Sequence, residues 1–419
     1  MRKIFGVLLS VLCICCAAIG LTGCKKDKHI HAFDKQVITD EYKATDATCT
    51  EKATYYYSCE CGEKGAETFE YGSTTEHNFV NGSCTYCGKK QETSLGLAFT
   101  LLDDGTYEVS GIGSCTDTEI VILSVYNDKP VTSIGNYAFK DCKKIINLEI
   151  PNNIVKIEEG AFEGCVNLKN IVLPFVGTSR KAQNGYDAVF GFIFGYETVY
   201  SSAYTFQFSN DAKSYYYKIP ETLQSVTLTD CGDSVVTNAF YNCSMFTEVI
   251  IKGTIKHIKS HSFYRCSKLE KVTFSDSVVC IGEHAFDGCS KLSEICDISN
   301  VTYIGDYSFS QCSFIDFVIP KGVVNIESGV FNNCKSLSSI VIHKGLVNVS
   351  SYAFYWCSNL DTIFYEGTQQ QWKRINVSSD SSLGYDYFAS AKVYYYSETE
   401  SQIVGDFWHY NSNGKPEKW

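Results

Sequence analysis

The stretch VVCIGEHAFDGCSKL, residues Val278–Leu292, holds one copy of a pattern that occurs eight times between residues 131 and 357. In each copy an aliphatic residue is followed, after four variable residues, by Phe, and two further residues separate this Phe from a Cys. Successive copies lie 22 or 23 residues apart, apart from one interval of 78. A fixed period of this length is typical of a solenoid, in which each repeat buries its apolar face only by stacking on its neighbours. The pairs are Phe139/Cys142, Phe162/Cys165, Phe240/Cys243, Phe263/Cys266, Phe286/Cys289, Phe309/Cys312, Phe331/Cys334 and Phe354/Cys357.

Apolar residues on both sides of each pair complete the repeat. They stand three and six positions after the Cys, except that Phe317 comes one place early and so produces the 22-residue spacing. Runs of β-branched residues that end at Pro151, Pro174 or Pro320 are typical of short strands closed by a turn. Adjacent coils of such a stack lie about 4.8 Å apart, so we expect continuous apolar columns. The aliphatic residues five before each Phe are Ile134, Ile157, Val235, Ile258, Ile281, Ile304, Ile326 and Val349.

The full repeat, Leu-x-x-Ile-x-Ile-Pro-x-x-Val-x-x-Ile-x-x-x-Ala-Phe-x-x-Cys, resembles the BspA-like leucine-rich repeats of bacterial surface proteins. The resemblance extends from Gly96–Cys115 to Ile363–Ile375, and the terminal Phe407–Trp419 is similar to the tails of such proteins. It implies a β-rich leucine-rich-repeat solenoid of about eight coils of 22–23 residues. It also implies a non-enzymatic, adhesin-like role: binding a surface protein or glycan of a host or neighbouring cell. A structural envelope spacer, and a surface carbohydrate-active enzyme, are the alternatives.

The N-terminus has the pattern of a secretory signal. Met1–Lys3 is basic and Ile4–Leu21 is apolar, with Cys24 directly after Leu-Thr-Gly. The sequence LTGC resembles the bacterial lipobox, and this resemblance implies that Cys24 is diacylated and becomes the mature N-terminus. We therefore expect the protein to be anchored by lipidated Cys24 to the outer face of the bacterial membrane, because several acyl chains give stable anchoring. An uncleaved membrane helix, or secretion without an anchor, remains the alternative.

Residues 29–90 form a small module rich in Cys and His. A Cys-x₁₋₂-Cys-Gly knuckle occurs twice, each time after a His-x-Phe sequence, and such modules resemble zinc-ribbon-like repeats. Zinc prefers four soft or borderline ligands, so the module predicts structural zinc. The ligands could also divide differently, with both knuckles sharing one ion, or five cysteines could form two disulfides with one left over. One set of candidate ligands is His31, Cys49, Cys59 and Cys61, and the second is His77, Cys84 and Cys87.

The 78-residue interval contains an insertion, residues 175–217, that is rich in Tyr, Phe, Gly and Ser. Its alternating aromatic residues predict a hairpin-like excursion from the solenoid. Tyrosine provides large contact area at a low cost in conformational entropy, so the insertion is a candidate recognition surface. The alternative is that the rings pack on the solenoid flank or on each other. Candidate ligand-binding residues are Tyr186, Phe192, Tyr196, Tyr200 and Tyr204.

Two columns of the repeat contain residue types that can form disulfides or bind metal ions. The repeat cysteines occupy an interior column, which favours buried thiols over disulfide bonds. His261 and His284 share the position two before the Phe, where other repeats have Tyr137, Tyr307 and Tyr352. This sharing favours an aromatic column at the surface over a metal site of two histidines.

Composition and motifs limit the remaining functions. The formal net charge is −11, so nucleic acid is a poor partner. No nucleophile elbow, His-Glu-x-x-His motif or phosphate-binding glycine loop occurs, and we nominate no catalytic residue. The predicted organisation is a signal peptide (1–23), a lipid-anchored tether (24–28), the Cys/His module (29–90), an N-terminal cap (96–130), the solenoid (131–375, with its insertion at 175–217) and a C-terminal cap and tail (376–419).

Overall fold

The computed structural model describes residues 31–72, 74, 79–80, 83–84, 87, 93–182, 185–197, 205–208, 214–378, 387–399 and 406–419. The chain divides into two compact units, Met1–Gln91 and Glu92–Trp419. Within the described ranges, none of the helices has the length and apolar character needed to cross a membrane. The signal segment with Cys24 lies outside the described residues.

The first unit is a small antiparallel sheet around one central strand. Strand β3 pairs with β4 over most of its length, and β1 and β2 pair with its two ends. Tyr55 and Phe69 lie opposite each other across the central pair and are both buried. The elements are β1 (Lys35–Gln36), a 3₁₀ helix (Asp40–Tyr42), β2 (Lys43–Thr45), β3 (Ala53–Ser58), β4 (Lys64–Tyr71), β5 (Phe79–Val80) and β6 (Ser83–Cys84).

The second unit consists almost entirely of short strands, with a 3₁₀ helix at Phe190–Phe194 and one α-helix, α1, at Gln369–Trp372 in its described part. The strands are β7 (Ala98–Leu101), β8 (Tyr107–Gly111), β9 (Glu119–Val121), β10 (Val125–Tyr126), β11 (Lys129–Ile134), β12 (Asn147–Glu149), β13 (Lys156–Ile157), β14 (Asn170–Leu173), β15 (Tyr196–Glu197), β16 (Thr205–Phe208), β17 (Ser214–Tyr217), β18 (Ser225–Leu228), β19 (Ser234–Val235), β20 (Glu248–Ile251), β21 (His257–Ile258), β22 (Lys271–Thr273), β23 (Cys280–Ile281), β24 (Glu294–Ile295), β25 (Tyr303–Ile304), β26 (Asp316–Val318), β27 (Asn325–Ile326), β28 (Ser339–Ile342), β29 (Asn348–Val349), β30 (Thr362–Tyr365), β31 (Asn376–Val377), β32 (Lys392–Tyr396), β33 (Phe407–Tyr410) and β34 (Pro416–Lys418).

The predicted leucine-rich-repeat solenoid is confirmed. A parallel seven-stranded sheet in the order β24-β22-β20-β18-β14-β12-β9 forms one side, and a shorter parallel sheet, β19-β21-β23-β25, follows the turn of each coil. Equivalent residues of successive repeats pair directly, as Val249 does with Val272. The repeat Phe rings are buried and stack from coil to coil, with centroids 5.1 Å apart for both Phe240–Phe263 and Phe263–Phe286.

The repeat cysteines form a ladder of hydrogen-bonded thiols. The Sγ of Cys289 donates to the carbonyl of Phe263 in the preceding coil at 3.0 Å, and the Cys266 thiol donates to Phe240 in the same way at 3.1 Å. Burial raises the pKa of Cys266 well above its ordinary range. Each of these Phe carbonyls also accepts the N–H of the Cys in its own turn, so the thiol adds a second hydrogen bond that joins neighbouring coils. The same bond is made by Cys165, Cys312, Cys334 and Cys357.

Every repeat also needs two residues with left-handed backbone, at the positions two before and two after the Phe. In one coil these are His284 (φ 51°) and Gly288 (φ 77°). Only Gly adopts this conformation without strain, yet most repeats use another residue there. The non-glycine members are Tyr137, Asn238, His261, His284, Tyr307 and Tyr352 before the Phe, and Asp141, Asn242, Arg265, Gln311, Asn333 and Trp356 after it.

The insertion supplies an extra turn to the stack of Phe rings. On the sheet side β14 pairs directly with β18, so the sheet continues as if no insertion were present. On the Phe side, the 3₁₀ helix Phe190–Phe194 fills the gap: Phe162 donates its N–H to Ile193, and Phe190 donates to Ala239. The rings of Phe194 and Phe190 continue the stack from Phe162 to Phe240. The insertion therefore replaces one missing Phe–Cys turn.

The short repeat after Cys312 interrupts both sheets. Throughout the described stretch 294–326, β24 does not pair with β26 and β25 does not pair with β27. The Phe side remains continuous there, since Phe309 stacks on both Phe286 (5.6 Å) and Phe331 (6.0 Å). One residue is missing between Cys312 and β26, so the chain reaches the sheet side in a position that does not match β24. We call this break in strand pairing the seam. C-terminal to it, β26, β28 and β30 pair regularly.

The C-terminal strands close the end of the solenoid. Phe388 stacks on Phe354 at 4.7 Å and ends the row of Phe rings. Trp408 of β33 is fully buried with Val341 and Phe364 in a second apolar cluster, and its Nε1 donates to the carbonyl of Tyr365 at 3.0 Å. This cluster covers apolar side chains on the sheet that the main core does not reach.

The left-handed column predicts a specific cost of substitution. Gly329 has φ +64°, and a Cβ placed there would overlap the ring of Tyr307. We expect Gly329→Ala to lose about 1–2 kcal/mol from backbone strain and about 1–3 kcal/mol more from the overlap. The measurement is the shift of the urea unfolding midpoint.

The matched control is Gly232→Ala. Gly232 has φ +74°, but a Cβ there meets no heavy atom within 4 Å, so this variant has the backbone strain alone. Adding Tyr307→Ala to Gly329→Ala removes the ring, so the double variant should regain the stability that Gly329→Ala loses through overlap with the ring. If Gly329→Ala is no more destabilised than Gly232→Ala, the ring does not occupy this position.

Candidate functional site

The structure brings together three of the predicted metal ligands at the tip of the β3–β4 hairpin. Cys59 follows β3, its N–H donates to the carbonyl of Glu63, and Gly62 adopts φ +85° to close the turn. The Tyr42 hydroxyl donates to the Gly62 carbonyl at 2.6 Å and holds the turn from the side. His31 precedes β1, which pairs with the end of β3, and so its ring reaches the same turn.

Ligand atoms in this cluster are close to one another. His31 Nδ1 lies 3.2 Å from Cys59 Sγ and 3.4 Å from Cys61 Sγ, and the three ligand atoms all lie within 4.8 Å of one another. On its other side the ring places Nε2 3.1 Å from Oε2 of Glu63. Cys59 is buried and Cys61 is exposed, so the cluster opens to solvent on one side.

The cluster favours a thiolate at Cys59. Burial by itself raises the pKa of this thiol, but hydrogen bonds with Cys61, His31 and the backbone outweigh burial and lower the pKa to about 6. Thiolate is the form of Cys that binds metal ions. The ordinary pKa of a free Cys is about 8.5, so this turn is chemically distinct from the buried ladder thiols of the solenoid.

The other predicted ligands are not part of this cluster. Cys49 and Cys87 belong to the described residues and lie outside the group of three. His77 falls outside the described residues, and of Cys84 only the backbone, in β6, is described. How the second set of ligands is arranged stays a prediction.

A second candidate site is a continuous row of half-buried rings on the solenoid, here called the aromatic strip. It starts on the hairpin strands β16 and β17 of the insertion and crosses onto the coils. Phe208 meets Tyr241 at 5.3 Å between ring centroids, and Tyr241 stacks on Tyr264 at 4.7 Å. The strip consists of Phe206, Phe208, Tyr216, Tyr241, His261, Tyr264, His284 and Tyr307.

The hairpin is fixed to the solenoid by one buried polar side chain. Gln207 is fully buried and uses both ends of its amide: Oε1 accepts from the Gly191 N–H at 2.7 Å, and Nε2 donates to the Tyr241 carbonyl at 3.0 Å. Because a buried amide is costly unless both ends are paired, these bonds hold the strand in place. The neighbouring residues Phe206 and Phe208 then point to the opposite face and join the strip.

The residues predicted to bind ligand in the insertion fall in different places. Phe192 is 4% exposed and packs against Tyr186, so its side chain is not available at the surface. Tyr186 and Tyr196 are partly exposed and lie 5.2 Å apart between ring centroids. Tyr200 and Tyr204 lie outside the described residues. Phe206, Phe208, Tyr241 and Tyr264 were missed as candidate ligand-binding residues because no sequence pattern shows which face of the hairpin meets the solenoid.

The pKa values of the two strip histidines are shifted in opposite directions. His284 Nδ1 lies 2.8 Å from Oδ2 of Asp287, and this hydrogen bond raises the pKa of His284. Burial, and then the charge of His284, lower the pKa of His261, whose ring stacks on His284 at 4.9 Å. The expected aromatic column is thus present, with the rings of His284 and Tyr307 stacked at 5.1 Å.

Comparison with known proteins identifies the class and then the family. A parallel solenoid of 22–23-residue coils is the fold of a leucine-rich-repeat protein. The model of the BspA type leucine rich repeat region matches in six copies over residues 114–184, 210–335 and 302–383. The chain belongs to this family. The matched ranges omit residues 185–209 of the insertion, and no curated relative matches the chain.

Several solved structures are similar to this chain. A leucine-rich repeat protein from Bacteroides ovatus is 23% identical over 64% of this chain and 70% of its own, with a TM-score of 0.37. A leucine rich cell surface protein from Faecalibacterium prausnitzii is 18% identical over 69% and 98% of the two chains, with a TM-score of 0.31. The pneumococcal vaccine antigen PcpA is 17% identical over 67% and 69%, with a TM-score of 0.28.

The histidine pair predicts a pH dependence that ring resonances can follow. We expect His284 to titrate above the ordinary histidine pKa of about 6.5 and His261 below it. Because folding raises the pKa of His284, its contribution to stability is complete below about pH 6.5 and is lost as the pH rises through the folded pKa. His261 acts in the opposite sense: its contribution falls as the pH drops below about 6.5.

Asp287→Asn tests whether Asp287 raises the pKa of His284, because Asn keeps an acceptor for the ring N–H and removes the charge. The NMR titration midpoint of His284 should fall in this variant. Glu283→Gln is the matched control, since Glu283 Oε1 is 3.7 Å from His284 Nε2 and its side chain is largely exposed. Equal shifts in the two variants would contradict the dominant role of Asp287.

Proposed function

We propose that this protein is a non-enzymatic, cell-surface binding protein whose solenoid presents the aromatic strip to a protein or glycan of a host or neighbouring cell. The observation that supports this proposal is the continuity of the strip from the insertion hairpin across successive coils. Membership of the BspA-type family is consistent with it. The proposal assigns the ligand to a face made by two parts of the chain, the insertion and the repeats.

The strip has the physical properties of a recognition surface. Its rings are half-buried, so each is already held in place and little conformational entropy is lost when a ligand covers it. Tyr and His combine an apolar ring with polar atoms at the edge, which suits both protein and glycan ligands. Arg265, which is exposed and lies over the ring of Tyr264 at 5.2 Å, adds a positive charge beside the strip.

The proposed location of the protein is the outer face of the bacterial membrane, with lipidated Cys24 as the anchor. The sequence around Cys24 supports this part of the proposal. Two or more acyl chains would hold the protein at the membrane, because each buried CH₂ contributes about 0.8 kcal/mol. The solenoid would then stand outside the cell, where a surface ligand can reach it.

Binding should depend on the strip. The experiment measures binding of residues 25–419 to immobilised matrix proteins, mucins and glycan arrays, and then compares variants on the ligand found. We expect Phe208→Ala and Tyr264→Ala each to weaken binding by at least about tenfold, since aromatic anchors typically contribute 2 kcal/mol or more.

The matched control is Tyr303→Ala. Tyr303 is 47% exposed and does not belong to the strip, so this variant should bind like the original protein. Equal loss in Tyr303→Ala and Tyr264→Ala would remove the strip from the binding site. If the original chain binds no ligand at micromolar concentration, the proposal fails in favour of a structural spacer, and hydrolysis of a glycan would favour an enzyme.

Anchoring is tested separately in a bacterial host. Cys24→Ala should leave the precursor unprocessed or release the protein into the medium, because the acyl chains have no thiol to join. Cell fractionation and the mass of the N-terminal peptide measure this. Ser83→Ala, which leaves the N-terminal signal unchanged, serves as the control for expression. Normal processing and membrane retention of Cys24→Ala would refute lipidation.

A further inference from the structure

The cluster at the β3–β4 turn matches the spacing of a tetrahedral zinc site. Bonds of about 2.3 Å to sulfur and about 2.0–2.1 Å to nitrogen, at tetrahedral angles, place a sulfur and a nitrogen ligand about 3.5 Å apart. His31 Nδ1 lies 3.2 and 3.4 Å from the two sulfur atoms. The two nitrogen–sulfur distances are therefore within a few tenths of an ångström of those in a zinc site.

Glu63 holds the imidazole in the orientation that such a site needs. Its Oε2 lies 3.1 Å from His31 Nε2, which leaves Nδ1 on the side of the two sulfur atoms. Histidines that bind metal ions usually have a carboxylate next to the second ring nitrogen, and Glu63 occupies that position. The ring of His31 also stacks on Phe33 at 5.6 Å, which restrains it further.

The chemistry of the donors selects the ion. Two thiolates and an imidazole are soft or borderline ligands, which favour zinc over magnesium or calcium. Burial of Cys59 makes an unpaired thiolate costly there, and an ion would offset that cost. The ladder cysteines of the solenoid differ, since their thiols donate to backbone carbonyls.

We propose that His31, Cys59 and Cys61 bind one zinc ion through Nδ1 and the two Sγ atoms, with Glu63 as a positioning residue. These three donors leave one coordination position of a tetrahedral ion for a further ligand. The ion joins the segment before β1 to the tip of the β3–β4 hairpin, and so stabilises a unit with few buried apolar side chains. This site is independent of the binding function proposed for the solenoid.

The test uses residues 25–419, purified under reducing conditions, stripped with a chelator and re-loaded with zinc. Bound metal is measured by elemental analysis after gel filtration, and Co²⁺ replaces zinc for absorption spectroscopy. We expect one zinc per chain, and Co²⁺ spectra with thiolate-to-metal bands. Cys59→Ser and Cys61→Ser should abolish stoichiometric zinc, and Glu63→Gln should weaken affinity by about 10- to 100-fold while leaving the Co²⁺ bands in place.

Cys49→Ser is the matched control, because Cys49 lies in the same unit but outside the cluster. This variant should retain one zinc ion. Circular dichroism and gel filtration establish that each variant is folded, since the solenoid is a separate unit. The proposal is overturned if the reduced chain holds no zinc, if Cys59→Ser holds as much as the original, if Cys49→Ser loses the ion equally, or if Cys59 and Cys61 form a disulfide that zinc and reductant do not replace.

Discussion

Stacking of the repeat Phe rings is the constraint on which the solenoid depends. A coil cannot bury its own Phe, because two flat faces of the ring remain exposed until coils on both sides cover them. Covering each ring contributes about 1.5–3 kcal/mol. The requirement fixes the spacing of neighbouring coils, as the 5.1 Å separation of Phe263 and Phe286 shows. The thiol ladder and the paired strands fit into this spacing.

The same constraint separates what is uniform in the molecule from what is free to vary. Interior columns accept little change, since a new side chain there must fit between two coils. The positions two before and one after each Phe do vary: the chain places Tyr, His, Asn or Gly at the first and Tyr, Lys, Glu, Asp, Ser or Asn at the second. The aromatic strip is made from aromatic residues at these positions and from β16 and β17. Recognition can therefore change without any change to the core.

The sequence predicted the architecture well because the same repeat pattern occurs eight times. The period, the apolar columns and the interior place of the cysteines all follow from counting residues. Other features depend on three-dimensional contacts that spacing does not show. The replacement of a Phe–Cys turn by Phe190–Phe194, and the inward direction of Gln207, depend on how the insertion folds back. Grouping His31 with Cys59 and Cys61, without Cys49, depends on the pairing of β1 with the end of β3.

The left-handed positions show another limit of sequence reasoning. In the sequence, Gly160 and Gly329 indicate a left-handed backbone, but His284 and Tyr307 in the same column do not, although all four have positive φ. Their strain is sustained because each ring finds a partner in the next coil. The ring of Tyr307 lies over Gly329, and that of Tyr137 lies over Gly160. A column that looks variable in sequence is thus uniform in conformation.

The seam after Cys312 interrupts strand pairing on the sheet side, while backbone hydrogen bonds and ring stacking continue on the Phe side. In repeat proteins the stability of the whole is approximately the sum of each unit and of its interfaces with its neighbours. The interface between β24 and β26 lacks the strand pairing that the neighbouring sheet strands have, so the coils on its two sides are held together by the Phe side alone. The sheet side can therefore open there by a small bend while the row of Phe rings stays closed.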